Sequence, residues 1–256
     1  METPGQLFDL SGKVAVVTGG SRGIGRAVAE SLATAGADVV VASRKLPNCE
    51  AAAAEIASAT GRRAVPVACH VGRWADCDQL VDRVYEEFGR CDILVNNAGM
   101  SPLYEDLPSV TEDLYDKVHA VNARGPFRLG VLVGTRMAAG EGGCIINVST
   151  AGTLRPNAID LPYSMAKAGL NALTLALAGA WTPKVRANLV LPGAFDTDIT
   201  KAWPVDMKER AARENPMQRI GRPEDLAAVC VFLASDAAAY VNGAQLLVDG
   251  GRFRTL

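Results

Sequence analysis

The chain has 256 residues and a formal net charge of −2, from 26 Lys and Arg against 28 Asp and Glu. That near-balance, without a basic stripe, argues against nucleic acid as a partner. Hydrophobic residues make up 49% and charged residues 21%. With no low-complexity tract, this composition excludes a collagen-like or disordered chain.

Taken in chain order, residues 14–17 are an apolar run that predicts a buried strand. A glycine-rich turn follows, then a helix over 26–35 that Gly36 closes. Residues 39–41 predict the second strand, and 49–60 a helix stopped by Gly61. Further strands are predicted at 64–69, 93–96, 144–148, 185–191 and 245–248. Helical patterns lie between them at about 75–88, 112–137, 162–181 and 223–235. Strands alternating with helices imply βαβ units and right-handed crossovers. The predicted fold is α/β: a single-domain, doubly wound Rossmann fold whose seven-stranded, mostly parallel sheet carries helices on both faces. No linker or composition shift divides residues 1–256.

The six cysteines (Cys49, Cys69, Cys77, Cys91, Cys144, Cys230) include no CxxC, and the only histidines are His70 and His119. Neither histidine has ligand spacing to a Cys or another His, so no metal site is expected. No apolar run approaches 18 residues, and the first nine residues lack a signal-peptide pattern. A cytoplasmic protein with reduced thiols and no membrane association is expected. The helix over 162–181 is apolar almost all round, which implies burial on two sides. One side meets the sheet and the other is expected to meet a second subunit.

Chemistry is concentrated in two places. In the turn after the first strand, Gly19, Gly23 and Gly25 have the spacing GxxxGxG. Such glycines let the backbone approach a pyrophosphate at a helix N-terminus, although they also mark ordinary tight βα turns. Arg22 and Arg26 sit at that positive helix end, where a cation is unfavourable by about 0.3–1 kcal/mol without a nearby anion. After the second strand come Ser43 and Arg44, with no carboxylate. An acidic residue there binds a ribose 2′-hydroxyl, whereas Arg favours a 2′-phosphate. NADP(H) is the preferred cofactor and NAD(H) stays open. In the second place, Tyr163 and Lys167 are four residues apart on one helix face. A phenol has an ordinary pKa of about 10, which a neighbouring ammonium lowers, so the pair can exchange a proton with a carbonyl or alcohol oxygen.

TGGSRGIG at 18–25, NNAG at 96–99, Asn122, the strand at 145–150, YSMAK at 163–167, LPG at 191–193 and VDGG at 248–251 occur in this order. Together they resemble the classical short-chain dehydrogenases/reductases over about residues 10–251, including 3-oxoacyl-carrier-protein reductase-like members. The resemblance implies that Tyr163 is the general acid/base and that Lys167 lowers its pKa and holds the nicotinamide ribose. It implies that Asn122 steadies a water linked to Lys167, and that Ser21 and Ile24 complete the glycine loop. Asn97, Ala98 and Gly99 would flank the adenosine ribose. Pro192, Gly193, the Phe195 backbone and Thr197 would hold the carboxamide. His70 and Val71 fall beside the adenine, where the family usually has an aspartate; His70 either bonds the adenine amino group through a ring nitrogen or ends the strand with no ligand role. The substrate hydroxyl falls on Thr150 by spacing from the tyrosine and on Ser149 by an alternative alignment.

The implied activity is NADPH-dependent reduction of a small-molecule carbonyl, or oxidation of the matching alcohol, in a homotetramer or dimer. A 3-oxoacyl thioester is one substrate reading, motivated by the tract at 215–225. A secondary alcohol, steroid, sugar or cyclic ketone is the alternative. A third reading is an NADP(H)-binding regulator without turnover. The substrate loops are placed at about 101–111 and 198–215, where Leu103, Tyr104, Trp203 and Met207 read as an apolar lid.

Overall fold

The computed structural model describes residues 3–197, 200, 203 and 205–253. The described residues form seven strands: β1 (Val14–Thr18), β2 (Asp38–Ser43), β3 (Ala64–Ala68), β4 (Ile93–Asn96), β5 (Gly143–Val148), β6 (Val185–Pro192) and β7 (Gln245–Val248). They make one sheet in the order β3-β2-β1-β4-β5-β6-β7. Every pairing is parallel, so the predicted sheet holds and has no antiparallel member. The chain winds outward from β1 in one direction and from β4 in the other. The crevice between their C-terminal ends is therefore the switch point at which such sheets bind ligands.

The nine α-helices described are α1 (Pro4–Leu7), α2 (Gly23–Thr34), α3 (Leu46–Thr60), α4 (Trp74–Phe88), α5 (Glu112–His119), α6 (Gly125–Ala139), α7 (Leu161–Ala180), α8 (Val205–Arg213) and α9 (Pro223–Ala234). Successive strand residues project to opposite faces, and both faces are covered. Val17, Val39, Val41, Val95 and Ile146 pack with Leu32 of α2, Ile56 of α3 and Leu233 of α9. Val16, Val40, Leu94 and Ile145 pack with Val84 of α4, Val133 of α6 and Leu177 of α7. Two-sided burial is why these strands read as unbroken apolar runs. All six cysteines are unpaired and buried.

The structure corrects the single helix expected over 112–137. It is broken by a π-helical turn, Ala120–Arg124, between α5 and α6. Pro126 is the physical reason visible in the chain: a proline inside a helix has no N–H to donate and crowds the carbonyl four residues back. The turn carries Asn122, in keeping with the tendency of π-bulges to occur at functional positions. Helices α1 and α8 were not expected. In the second substrate loop, residues 198, 199, 201, 202 and 204 lie outside the described residues.

Candidate active site

β1 delivers the chain into the glycine turn. Gly19 takes φ +66°, a left-handed conformation costly for residues with a side chain. Gly25 is needed for closeness: a Cβ there would lie 2.3 Å from Gly19 O and 2.4 Å from Asn97 Nδ2. Thr18 laces this turn to the end of β4. Its Oγ1 accepts from the N–H groups of Asn97 (3.0 Å) and Ala98 (3.1 Å), and its carbonyl accepts from Asn97 Nδ2 at 2.9 Å. The Asn97 side chain thus makes a structural bond beneath the loop. α2 starts at Gly23, with Arg22 as an N-cap that makes no side-chain capping bond and no acidic residue in the first turn. Its leading N–H groups and dipole therefore form an anion-binding end.

A cleft runs from this turn along the C-terminal ends of the strands. It is lined by Gly19, Arg22, Gly23, Ile24 and Gly25, by Ser43 and Arg44 after β2, and by Cys69, His70 and Val71 after β3. It continues over Asn97, Ala98, Gly99 and Met100, Val121 of the π turn, Val148 and Ser149, Tyr163 and Lys167 on α7, and Pro192 and Thr197. Five expected site residues are not in that lining. Ser21 is half-buried beside Arg22, and Asn122 is buried behind Gly99. Thr150 sits at the Tyr163 end, as described below. Gly193 packs against Asp249, 2.8 Å from a built Cβ to Asp249 Cβ. Phe195 is a core residue whose ring meets Gly221, which leaves only its backbone for any ligand. Cys69, Met100, Val121 and Val148 were not foreseen; they are apolar residues at strand and helix ends, without a chemical signature. Thr18 had a signal, a lone hydroxyl ending an apolar strand.

Arg44 is exposed and has no hydrogen-bond or ion-pair partner among the described residues. Arg26 differs from expectation. It pairs with Glu55 at 3.1 Å and Glu30 at 3.5 Å, so its charge at the helix start is answered within the chain. His70 has a partner within its own loop. Its Nδ1 accepts from the Gly72 N–H at 3.2 Å, which places the ring proton of the neutral form on Nε2. The remaining ring nitrogen is a donor and does not suit an amino group.

The chemistry at the far end of the cleft is set by α7. Lys167 is 2% exposed, and its Nζ donates to Val148 O at 2.7 Å and lies 5.8 Å from the centre of the Tyr163 ring. Burial lowers the Lys167 pKa to about 7. Burial pushes the Tyr163 phenol up, the charge of Asp160 pushes it further, and the Thr150 hydroxyl opposes both. The expectation that Lys167 lowers the phenol's pKa is thus overridden, because loss of water disfavours both charged forms. A stability prediction follows. An ammonium that titrates near 7 when folded and near 10.5 when unfolded penalises folding fully below pH 7, and the penalty fades as pH rises toward 10.5. Lys167→Met is therefore expected to raise Tm relative to the parent more at pH 6.5 than at pH 9.5. Scanning calorimetry at the two pH values checks the sign.

The two candidate hydroxyls separate as strand alternation requires. Ser149 is 2% exposed; its Oγ donates to Asn171 Oδ1 at 2.6 Å, turned into the protein. Thr150, extended at φ −155°, has its hydroxyl beside that of Tyr163. Asn122 is fully enclosed. Its Nδ2 donates to Val118 O (2.9 Å) and Met100 O (2.8 Å), and its Oδ1 accepts from Met100 N at 3.2 Å. A Cβ on Gly99 would lie 3.0 Å from Asn122 Oδ1 and 3.8 Å from Lys167 Nζ, so Gly99 leaves the space where the amide and the ammonium converge. An unforeseen chain, Asn96 Nδ2 to Asn147 Oδ1 (2.8 Å) and Asn147 Nδ2 to Thr174 Oγ1 (2.8 Å), ties β4 and β5 to α7. Among the described residues no cluster of His, Cys, Asp or Glu is placed to hold a metal, and no helix is long and apolar enough to cross a membrane.

The chain matches a family model described as enoyl-(acyl carrier protein) reductase, over residues 19–252. The chain belongs to the short-chain dehydrogenase/reductase family. It is similar to a protein of Azotobacter vinelandii named L-rhamnose 1-dehydrogenase (NAD(P)(+)), at 41% identity over 95% of this chain and 98% of that one. A putative short-chain alcohol dehydrogenase from Sinorhizobium meliloti superposes with a TM-score of 0.91, at 38% identity over 96% and 98% of the two chains. An NADPH-dependent 3-quinuclidinone reductase from Rhodotorula rubra superposes at 0.92, at 29% identity over 100% and 98%. As a short-chain dehydrogenase/reductase, the chain is an oxidoreductase acting on alcohols or carbonyls with a nicotinamide cofactor. Its own residues fit such a group: the glycine cradle that a Cβ at Gly25 would fill, and the uncapped, acid-free start of α2.

Proposed function

We propose that this protein is an NADP(H)-dependent reductase of a ketone, working in reverse as a dehydrogenase of the matching secondary alcohol. The observation that carries the reading is the Tyr163 hydroxyl beside that of Thr150, at the end of a cleft that begins on the glycine turn. The bound cofactor would supply or accept the hydride. Thr150 would donate a hydrogen bond to the carbonyl oxygen and Tyr163 would deliver the proton to it. Lys167 would hold ribose hydroxyls, with Asn122 fixing the Met100 backbone next to it. Burial and Asp160 hold the proton on Tyr163, so the phenol is set to donate in reduction, and the rate of alcohol oxidation, which needs it to accept, should rise with pH. NADPH consumption followed by absorbance, with cyclic and open-chain ketones and a 3-oxoacyl thioester, tests this. Turnover of the thioester alone would move the substrate class, and binding without turnover would favour a regulator.

The unpartnered Arg44 supports the preference for the 2′-phosphate. Arg44→Asp is expected to raise KM for NADPH by about 10–100-fold, the loss of one charge-assisted contact, and to leave or improve KM for NADH. Steady-state kinetics with both cofactors checks it; equal parental rates with NADH would remove the phosphate contact from the reading.

We also place the chain in a homo-oligomer. On α7, Met165, Ala168, Ala172 and Leu175 are exposed although apolar, so the face predicted to meet a partner is uncovered within the chain. Light scattering is expected to give a dimer or tetramer mass, reduced by Leu175→Glu. The six unpaired thiols fit a reducing compartment such as the cytoplasm.

A further inference from the structure

The loop after β3 uses every polar group of His70 but one. The His70 N–H donates to Asp76 Oδ2 at 3.0 Å, and its carbonyl accepts from the Arg73 N–H at 2.7 Å. Its Nδ1 accepts from the Gly72 N–H at 3.2 Å, which places the ring proton on Nε2. That Nε2–H has no partner among the described residues, and neither has the Val71 N–H. Two uncommitted donors thus stand on consecutive residues that line the cleft. Their place in the fold says what they would meet. The start of α2 suits a pyrophosphate, and the end of β2, with Ser43 and Arg44, suits the adenosine ribose. Tyr163 and Lys167 mark the nicotinamide end. With the sheet running β3-β2-β1, the purine would fall beyond β2, against Cys69, His70 and Val71. No carboxylate is among the described residues lining the cleft. Asp116 borders only the neighbouring hollow, which shares Arg44 and His70 with it.

We infer that His70 and Val71 recognise acceptors on the purine, so that this site does not select the 6-amino group of adenine and takes a 6-oxo purine dinucleotide equally well. The inference rests on the cofactor occupying the cleft as proposed above. Along the edge that carries N7, adenine offers one acceptor and its amino donor, whereas hypoxanthine offers acceptors at both N7 and O6. Presented by that edge, hypoxanthine satisfies both donors and adenine satisfies one. Along the edge that carries N1 each base satisfies one, because N1 accepts in adenine and bears a hydrogen in hypoxanthine. Neither presentation favours adenine. An aspartate in place of His70 would reverse this, accepting from the amino group and repelling O6.

The test titrates the unaltered protein with NADPH and with reduced nicotinamide hypoxanthine dinucleotide phosphate. Both are followed by nicotinamide fluorescence, so the readout is binding and not turnover. The Kd of the hypoxanthine form is expected to be no more than about 2-fold that of NADPH, and a higher value overturns the inference. His70→Asp is expected to shift the ratio of the two Kd values toward adenine by at least about 10-fold. Its added charge acts on both dinucleotides alike and cancels in the ratio; an unmoved ratio in the folded variant overturns the assignment to His70. Asp116→Asn is expected to leave the ratio as in the parent, and a shift toward hypoxanthine would give the amino group to Asp116 and overturn it. The comparison on the unaltered protein stands without either variant. Repeating it with NADH and its hypoxanthine counterpart separates this inference from the 2′-phosphate reading. If only the forms lacking the phosphate bind, and with the expected ratio, the inference holds while the preference for NADP(H) fails. Binding of none of the four overturns both.

Discussion

Tyr163→Phe is expected to lower kcat for carbonyl reduction by about 10²–10⁴-fold, the range lost when a positioned proton donor is removed, with NADPH affinity within about 2-fold of the parent. The substitution deletes one oxygen and keeps the ring against which Lys167 sits at 5.8 Å, so packing of α7 is preserved. It leaves the Thr150 hydroxyl accepting from the Gly152 N–H at 3.1 Å, with its own proton to donate to the carbonyl oxygen. Single-turnover absorbance with enzyme in excess measures the chemical step, and quenching or enhancement of NADPH fluorescence measures binding. A residual rate that no longer varies with pH would identify the lost proton donor as the titrating group. Undiminished turnover would assign proton delivery elsewhere.

Gly25→Ala is expected to weaken NADPH binding by at least about 100-fold and to lower Tm by about 3–10 °C. The added methyl would stand 2.3 Å from Gly19 O, 2.8 Å from Gly19 C and 2.4 Å from Asn97 Nδ2. Neither neighbour can yield cheaply. Gly19 is backbone in a left-handed turn, and Asn97 Nδ2 is held by Thr18 O. Overpacking of this kind costs about 1–3 kcal/mol, and each kcal/mol is worth roughly 2–4 °C in a chain of this size. The affinity loss is larger, because moving the turn misplaces several N–H groups that would bind phosphate, each a charge-assisted bond. Gly179→Ala is the control: a Cβ there meets nothing within 4 Å, so NADPH affinity should stay near parental and Tm should hold or rise by a few degrees, since Ala in a helix is favoured over Gly by about 1 kcal/mol. Calorimetry and fluorescence titration on both variants separate the local clash from a generic helix effect. Parental binding by the Gly25 variant would detach the glycine cradle from cofactor recognition.

Much of this protein was legible before its fold was known, for identifiable reasons. Strands buried on both faces announce themselves as Val- and Ile-rich runs, and helix ends carry glycines such as Gly61, which takes φ +68° as the C-cap of α3. The glycine turn and the Tyr163–Lys167 pair are local patterns, five to seven residues long, so chain order alone places them. The break between α5 and α6 had a signal in Pro126 that the apolar periodicity outweighed. The commitments of Arg26 to Glu55 and of His70 to the Gly72 N–H had none, since each depends on which group the fold or loop brings alongside.

The sequence by itself determined the strand and helix alternation, the glycine turn and the placing of Tyr163 and Lys167 on one helix face, because each is encoded by spacing along one segment. Only the tertiary structure separated Thr150 from Ser149: a strand points neighbouring side chains in opposite directions, so that Thr150 stands by Tyr163 while Ser149 bonds Asn171. It also decided the protonation balance. Lys167 and Tyr163 are one helical turn apart in any α7, but their pKa values move apart from expectation because β5, the π turn and the Thr150–Asp160 segment close over them and remove water.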